Sequence, residues 1–455
     1  MNQPQLNKFP STPPLPSHSL VSALCALALL LPGFAAQPEF PFHDGDRIAF
    51  LGDSITEQHL YTAYVEAYLL TRFPKKSFRF RNVGLGGDTA WMLKRSRPDE
   101  AALFGARGDA QQELIGQAVD KVLMRDVVSW KPTVVFVAFG MNDFDAPPFN
   151  EDRYRTYLSA EREIVKVLNQ NHVRTILLSA QPVEPRTADP AHDPRNLILK
   201  RFGEGLKDVA DETGSLFVDQ FGPYMVLVQS EHGRNPRVSV GRGDDVHPGP
   251  TGHTLMAGEI LRQLKAPDLV SSAALEITAE HQPKLVAAEQ CAITNLKLEK
   301  DALTFDRADE CLPMPVDQRA FDALQYLPVH EMLSKYELKI IGLTEERYAL
   351  YVDEQPASGD PQPDAILSRK ELERGCNLTL RAGPITEQAK QVLKLVLKKN
   401  ELCRAVWDAQ IHGPKAHVET YTAKLAEEEA KLDEVRQPKP HHFKLVPINL
   451  KTDGK

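Results

Sequence analysis

Between residues 46 and 265 the chain alternates two kinds of hydrophobic pattern. Short apolar runs at 47–51, 78–83, 133–138, 175–178 and 216–218 predict strands. The third, Thr-Val-Val-Phe-Val-Ala, is strongly β-branched, as expected of a strand buried on both faces. Apolar residues at helical spacing predict helices over 61–72, 111–123, 153–168, 197–209 and 251–264. Strands interleaved with helices predict an α/β domain over 37–265, with about five parallel strands covered on both faces. In such folds ligands bind beyond the carboxyl ends of the strands.

The pattern changes near residue 266. Residues 266–272 (APDLVSS) read as a linker. A small β-rich region is expected over 273–384, because short alternating segments recur at 292–298, 303–305, 336–341 and 348–352. They suggest a small antiparallel sheet. A helical hairpin and tail are expected over 385–455. Val392, Leu395, Val396, Leu402 and Val406 mark one helix, His412-Gly413-Pro414 breaks it, and a charge-rich helix follows over 416–436.

The first 36 residues predict a signal peptide. Lys8 is the one charge before an apolar run at 20–31, Pro32-Gly33 ends that run, and Phe34-Ala35-Ala36 offers a cleavage site. The run falls short of the roughly 20 residues that cross a bilayer. The expected location is therefore periplasmic or extracellular, with no stable membrane span after signal removal. That compartment permits disulfides among Cys291, Cys311, Cys376 and Cys403, but spacing assigns no pair.

Composition narrows the function classes. Hydrophobic residues are 42% and charged residues 25%, the balance of an ordinary globular chain. A net charge of −8 offers no basic field for a phosphate backbone, so nucleic acid is not an expected partner. Oligomeric state is not legible.

Four polar motifs stand at the ends of the predicted elements. Gly52-Asp53-Ser54-Ile55-Thr56 follows the first strand; its serine reads as a nucleophile above the sheet edge or as a plain helix cap. Residues 82–89 (NVGLGGDT) follow the second, where glycines aim N–H groups at a developing negative charge or simply make a tight turn. Gly140-Met141-Asn142-Asp143 follows the third and offers an amide donor or a polar turn. Asp244-Asp245-Val246-His247-Pro248 precedes the last helix; three-residue spacing brings Asp244 to His247, and the alternative is a surface loop. With 14 His in the chain, His59 and His253 read as surface residues.

Taken together and in this order, the motifs resemble those of the SGNH, or GDSL-type, hydrolase superfamily over about residues 46–265. The resemblance implies a flavodoxin-like three-layer α/β fold and serine hydrolysis of esters, with no cofactor and no metal. It makes Ser54 the nucleophile, His247 the base and Asp244 its partner. The Ser54 N–H, the Gly87 N–H and the Asn142 side chain become the oxyanion donors, with Gly86 the competitor for Gly87. The region after 273 lies outside the superfamily domain and is similar to tails on exported esterase-like proteins of some environmental bacteria. The expected substrate is a small-molecule or glycan ester, foremost a short acyl (acetyl) group on carbohydrate. The alternatives are a lipase, lysophospholipase or thioesterase, or a polysaccharide- or partner-binding protein. Polar loops at 143–149 and 182–196, with scattered aromatics, are expected to rim the site. Since every motif precedes residue 250, the tail is expected to be dispensable for the chemical step.

Overall fold

In a computed structural model, residues 40–353, 362–381 and 383–448 are described; the segment read as a signal peptide lies outside them. Five strands, β1 (Arg47–Gly52), β2 (Arg79–Asn82), β3 (Val134–Ala138), β4 (Arg174–Leu178) and β5 (Leu216–Val218), form one sheet in the order β2-β1-β3-β4-β5. Every pairing is parallel, with Ile48 opposite Val134 and Gly52 opposite Ala138. Val134 to Val137 are all buried, which a parallel strand achieves only with helices over both faces. The helices form two packed groups: Leu60–Arg72 with Pro250–Gln263, and Gly108–Asp126 with Glu151–Gln170 and Pro194–Thr213. The chain leaves β1 toward β2 on one side and continues with β3 on the other. This reversal opens a crevice beyond the carboxyl ends of β1 and β3.

The region after 265 differs from its sequence reading in sheet number, strand direction and element limits. Among the described residues it contains nine strands: β6 (Leu269–Ile277), β7 (Pro283–Glu289), β8 (Cys291–Glu299), β9 (Ala302–Asp309), β10 (Lys335–Ile341), β11 (Arg347–Val352), β12 (Ala365–Ser368), β13 (Cys376–Asn377) and β14 (His441–Pro447). They build two sheets, β13-β10-β6-β7 and β12-β11-β14-β9-β8, rather than one, and β6 pairs β10 in parallel. Strand β6 begins inside the stretch read as a linker, where Val270 and Ser271 are buried. Its small Ser and Ala residues mask the alternation of a strand. Strand β14 comes from the stretch read as a tail, yet lies between β11 and β9.

A buried arginine ties the two sheets together. Arg307 on β9 donates to Asp309 (2.9 Å), to Ser271 Oγ (2.7 Å) and to the Glu337 carbonyl (3.1 Å), and lies 4.1 Å from the Tyr336 ring centroid. Cys291, Cys311, Cys376 and Cys403 are all free thiols.

The hairpin is present, as helices Pro384–His412 and Lys415–Val435 packed side by side. Its first helix also packs on Leu60–Arg72. There Lys399 Nζ lies 2.6 Å from Glu66 Oε1 with both side chains 2% exposed, and Asn400 Nδ2 donates to the other carboxylate oxygen. Removing either ion would strand its partner in the interior, at a cost of about 3–5 kcal/mol. The hairpin is thus built into the α/β core, and the chain from Phe40 onward is one compact unit. Among the described residues, no helix is long and apolar enough to cross a membrane.

Candidate active site

The site begins where β1 stops. Gly52 sits so close to β3 that a Cβ there would lie 2.6 Å from the Ala138 carbonyl oxygen. Asp53 then caps the single-turn helix Ser54–Glu57, its Oδ1 accepting the Ile55 N–H at 3.0 Å. This places Ser54 at the first helical position, half-buried, facing the loop before Pro250–Gln263. Ser54 Oγ lies 3.0 Å from His247 Nε2, and His247 Nδ1 lies 3.1 Å from Asp244 Oδ2.

The sequence spacing of three residues works because Asp244 folds its own loop. Its Oδ1 accepts the N–H groups of His247 (2.6 Å) and Val246 (2.8 Å), leaving Oδ2 for the ring. These donors, the His247 N–H foremost, hold the Asp244 carboxyl below the usual carboxylate range. Nδ1–H donating to Asp244 leaves the Nε2 lone pair toward Ser54. Asp245 is exposed; its carbonyl accepts the Glu184 N–H at 2.8 Å, and its charge acts on Arg195 rather than on His247. The His247 side chain is 37% exposed and Asp244 66%, so water screens the pair and its value is orientation.

Two residues that the motif reading missed hold this loop from behind. Gln181 Nε2 donates to the Val246 carbonyl at 3.1 Å. Buried Glu184 accepts the N–H groups of Val240 (2.7 Å) and Gly241 (2.8 Å) and the Tyr224 hydroxyl (2.8 Å). Their signal was position: both follow the carboxyl end of β4. Residues 182–185 are accordingly buried rather than on a rim, and exposure begins at Arg186. In the other expected rim loop, Phe144 is buried and Arg201 covers the Phe149 ring at 3.9 Å.

On the opposite side of Ser54 lies the glycine loop. A Cβ on Gly86 would meet Ser54 Cβ at 3.9 Å. The Gly84 N–H donates to Asn82 Oδ1 (2.8 Å), the Leu85 N–H to the Gly52 carbonyl (3.0 Å), and the Gly86 N–H to Glu57 Oε2 (2.9 Å). Gly87 turns the chain at φ +72°, a region that favours glycine, and among the described residues its N–H has no partner. Asn142 Nδ2 gives one hydrogen to the Asp88 carbonyl at 3.0 Å and retains a second.

Asp143 locks these loops together. It is fully buried, with Oδ1 accepting the Ala90 N–H and Oδ2 the Gly140 N–H, each at 2.8 Å. Burial pushes its carboxyl up to about 7, as it does that of Asp53. The folded value lies above the unfolded one, so the folded state holds the proton more tightly. This contribution to stability is full below the unfolded value and is lost as pH rises to about 7. Asp143→Asn cannot titrate. Between pH 5 and 8 the Tm of the unaltered protein should therefore fall relative to that of the variant; parallel curves would contradict the assignment.

His253 departs from its surface reading. It is fully buried against Tyr61, with Nδ1 accepting the Tyr61 N–H (3.2 Å) and Nε2 facing Gln58 Oε1 (2.6 Å). Burial pulls its pKa down to about 3, and it stands as a neutral strut under Pro250–Gln263. His59 is half-buried at φ +63°, and burial pulls it down to about 4. Among the described residues, no three His, Cys, Asp or Glu side chains cluster as a metal site.

Known proteins resemble this chain in sequence over the α/β domain and in fold more widely. The family model of the GDSL-like lipase/acylhydrolases matches residues 50–255. An acetylxylan esterase of Geobacillus stearothermophilus is 26% identical over 244 residues, which cover 48% of this chain and 94% of that protein. A solved structure of a gut microbial diltiazem-metabolizing enzyme is 22% identical with a TM-score of 0.74, covering 90% of this chain and all of that one, so the likeness in fold extends through the tail. Over residues 50–255 the chain is a GDSL-like lipase/acylhydrolase domain of the SGNH hydrolase superfamily, which makes it a serine esterase domain.

Proposed function

We propose that Ser54 is the acyl-accepting nucleophile, His247 the base and Asp244 the residue that orients it. The observation that carries this is the hydrogen-bonded chain from Ser54 Oγ through His247 to Asp244, set beside a Gly87 N–H without a partner among the described residues. His247 Nε2 takes the Ser54 proton as Oγ attacks the ester carbonyl. The carbonyl oxygen becomes an oxyanion received by the N–H groups of Ser54 and Gly87 and by the Asn142 amide. One such donor is worth about 3–4 kcal/mol in the transition state. His247 then protonates the departing alcohol, leaving an acyl group on Ser54. Water, deprotonated by His247, attacks that acyl carbonyl and releases the acid, and the proton returns to Ser54.

The proposed substrate is a short acyl ester, foremost acetyl, carried on carbohydrate. Three observations support it. The cavity behind Asp53 and Ile55, walled by Phe139, Met141, Leu178 and Met256, holds only about 10 Å³. That is room for about one water-sized sphere, so an acyl chain has no inward path there. The relative named an acetylxylan esterase matches this chain over 244 residues and 94% of its own length. The signal-like residues 1–36 support action on an extracellular or periplasmic polymer. The test is a series of p-nitrophenyl esters from two to ten carbons, with acetylated xylan alongside. kcat/KM should peak at acetyl and fall beyond four carbons. A steady climb with chain length, each buried methylene adding about 0.8 kcal/mol, would overturn the substrate class.

A further inference from the structure

The helical hairpin reaches the glycine loop through one side chain. Arg404, on helix Pro384–His412, places Nη2 2.9 Å from Glu57 Oε1 and donates from Nη1 to the Gly84 carbonyl at 3.1 Å. Its Nε is engaged by Asp408 at 3.0 Å, and its guanidinium lies 4.8 Å from the ring centroid of buried Trp407. Its reach is therefore fixed by partners on its own helix. Glu57 in turn spends its other oxygen on the Gly86 N–H. One guanidinium thus governs two of the constraints on the turn that presents Gly87.

Charge makes the contact matter for chemistry. Glu57 is three residues past Ser54, and its carboxylate touches the loop where an oxyanion would form. A bare carboxylate there would oppose a developing negative charge in a partly desolvated crevice. Arg404 offsets that charge while leaving the carboxylate free to hold Gly86.

We propose that Arg404 is a positioning residue for ester hydrolysis, supplied by the tail to the α/β domain. It neutralises Glu57 and fixes Gly84, so that the Gly87 N–H meets the substrate oxygen. The inference rests on the reading of Ser54 as the nucleophile. It also replaces the expectation that the tail is dispensable for the chemical step.

The test uses the full chain and p-nitrophenyl acetate. Arg404→Met should lower kcat about tenfold, a fraction of what losing a whole oxyanion donor costs, with KM changed by less than about twofold. Adding Glu57→Gln should restore most of that loss, because the amide oxygen so introduced still accepts the Gly86 N–H but carries no charge. Arg404→Lys, which keeps the charge without the two-pronged reach, should fall between the single variant and the unaltered protein, and it carries the test if Arg404→Met does not fold. An unchanged kcat, a loss confined to KM, or independent losses in the double variant would overturn the proposal. Ser54→Ala separates the two readings. If it still turns over, the nucleophile assignment fails; if it is inactive while Arg404 variants behave as unaltered, only the role of Arg404 falls.

Discussion

Ser54→Ala should abolish ester turnover, with a fall in kcat on the order of 10⁶-fold, while the protein stays folded. The magnitude follows from the nucleophile and its base acting as one unit, so that losing the hydroxyl costs nearly as much as losing the whole catalytic set. What remains is binding and the oxyanion donors. The fold should survive because Asp53, not Ser54, caps the Ser54–Glu57 turn, and Ile55 supplies its buried apolar contact. The hydroxyl's side-chain partner is the partly exposed His247, so Tm should move by no more than about 2–4 °C. Circular dichroism and a thermal melt beside the kinetic assay check both halves. Activity within tenfold of the unaltered protein would place the nucleophile elsewhere.

Asp244→Asn should have the next largest effect. Asn keeps an oxygen for the N–H groups of Val246 and His247, so the loop retains its shape. It turns an amide N–H toward His247 Nδ1, which then accepts, and the ring proton shifts to Nε2. A protonated Nε2 cannot take the Ser54 proton. A buried aspartate in this role is worth about 10⁴-fold. Asp244 is exposed, water can partly stand in for it, and the expected fall is about 10³-fold. Asp245→Asn should change kcat by less than about twofold, as an exposed charge acting on Arg195 rather than on His247 contributes little. Steady-state kinetics on one small ester ranks the two; the reverse order would contradict the orientation of His247.

The α/β half was legible because its signals are local. Val134 to Val137 announce a doubly covered strand by composition alone. The residues at 52–54, 140–142 and 244–247 stand at element ends, where the crevice of a parallel sheet must lie. What escaped were features fixed by distant partners. His253 reads as incidental until Tyr61 and Gln58 enclose it, nearly 200 residues away. β6 is rich in Ser and Ala, and only its pairing with β10 and the reach of Arg307 make it a strand. Arg404 belongs to no motif, and its contact with Gly84 spans 320 positions. No periodicity encodes a contact of that kind.

The competition between Gly86 and Gly87 shows the same limit at short range. Two adjacent glycines cannot be ranked by composition, because either accepts a positive φ. Glu57 distinguishes them by taking the Gly86 N–H, and Glu57 lies just past the serine motif, outside the glycine loop.

The central claim, that ester chemistry passes through Ser54, is tested most directly by finding where an acyl-like probe bonds. The full chain, treated with a fluorophosphonate and digested, should yield by peptide mass spectrometry a single adduct on Ser54. That adduct should be absent when His247 is replaced by Ala. An adduct on any other residue, or none from protein that still hydrolyses p-nitrophenyl acetate, would contradict the account.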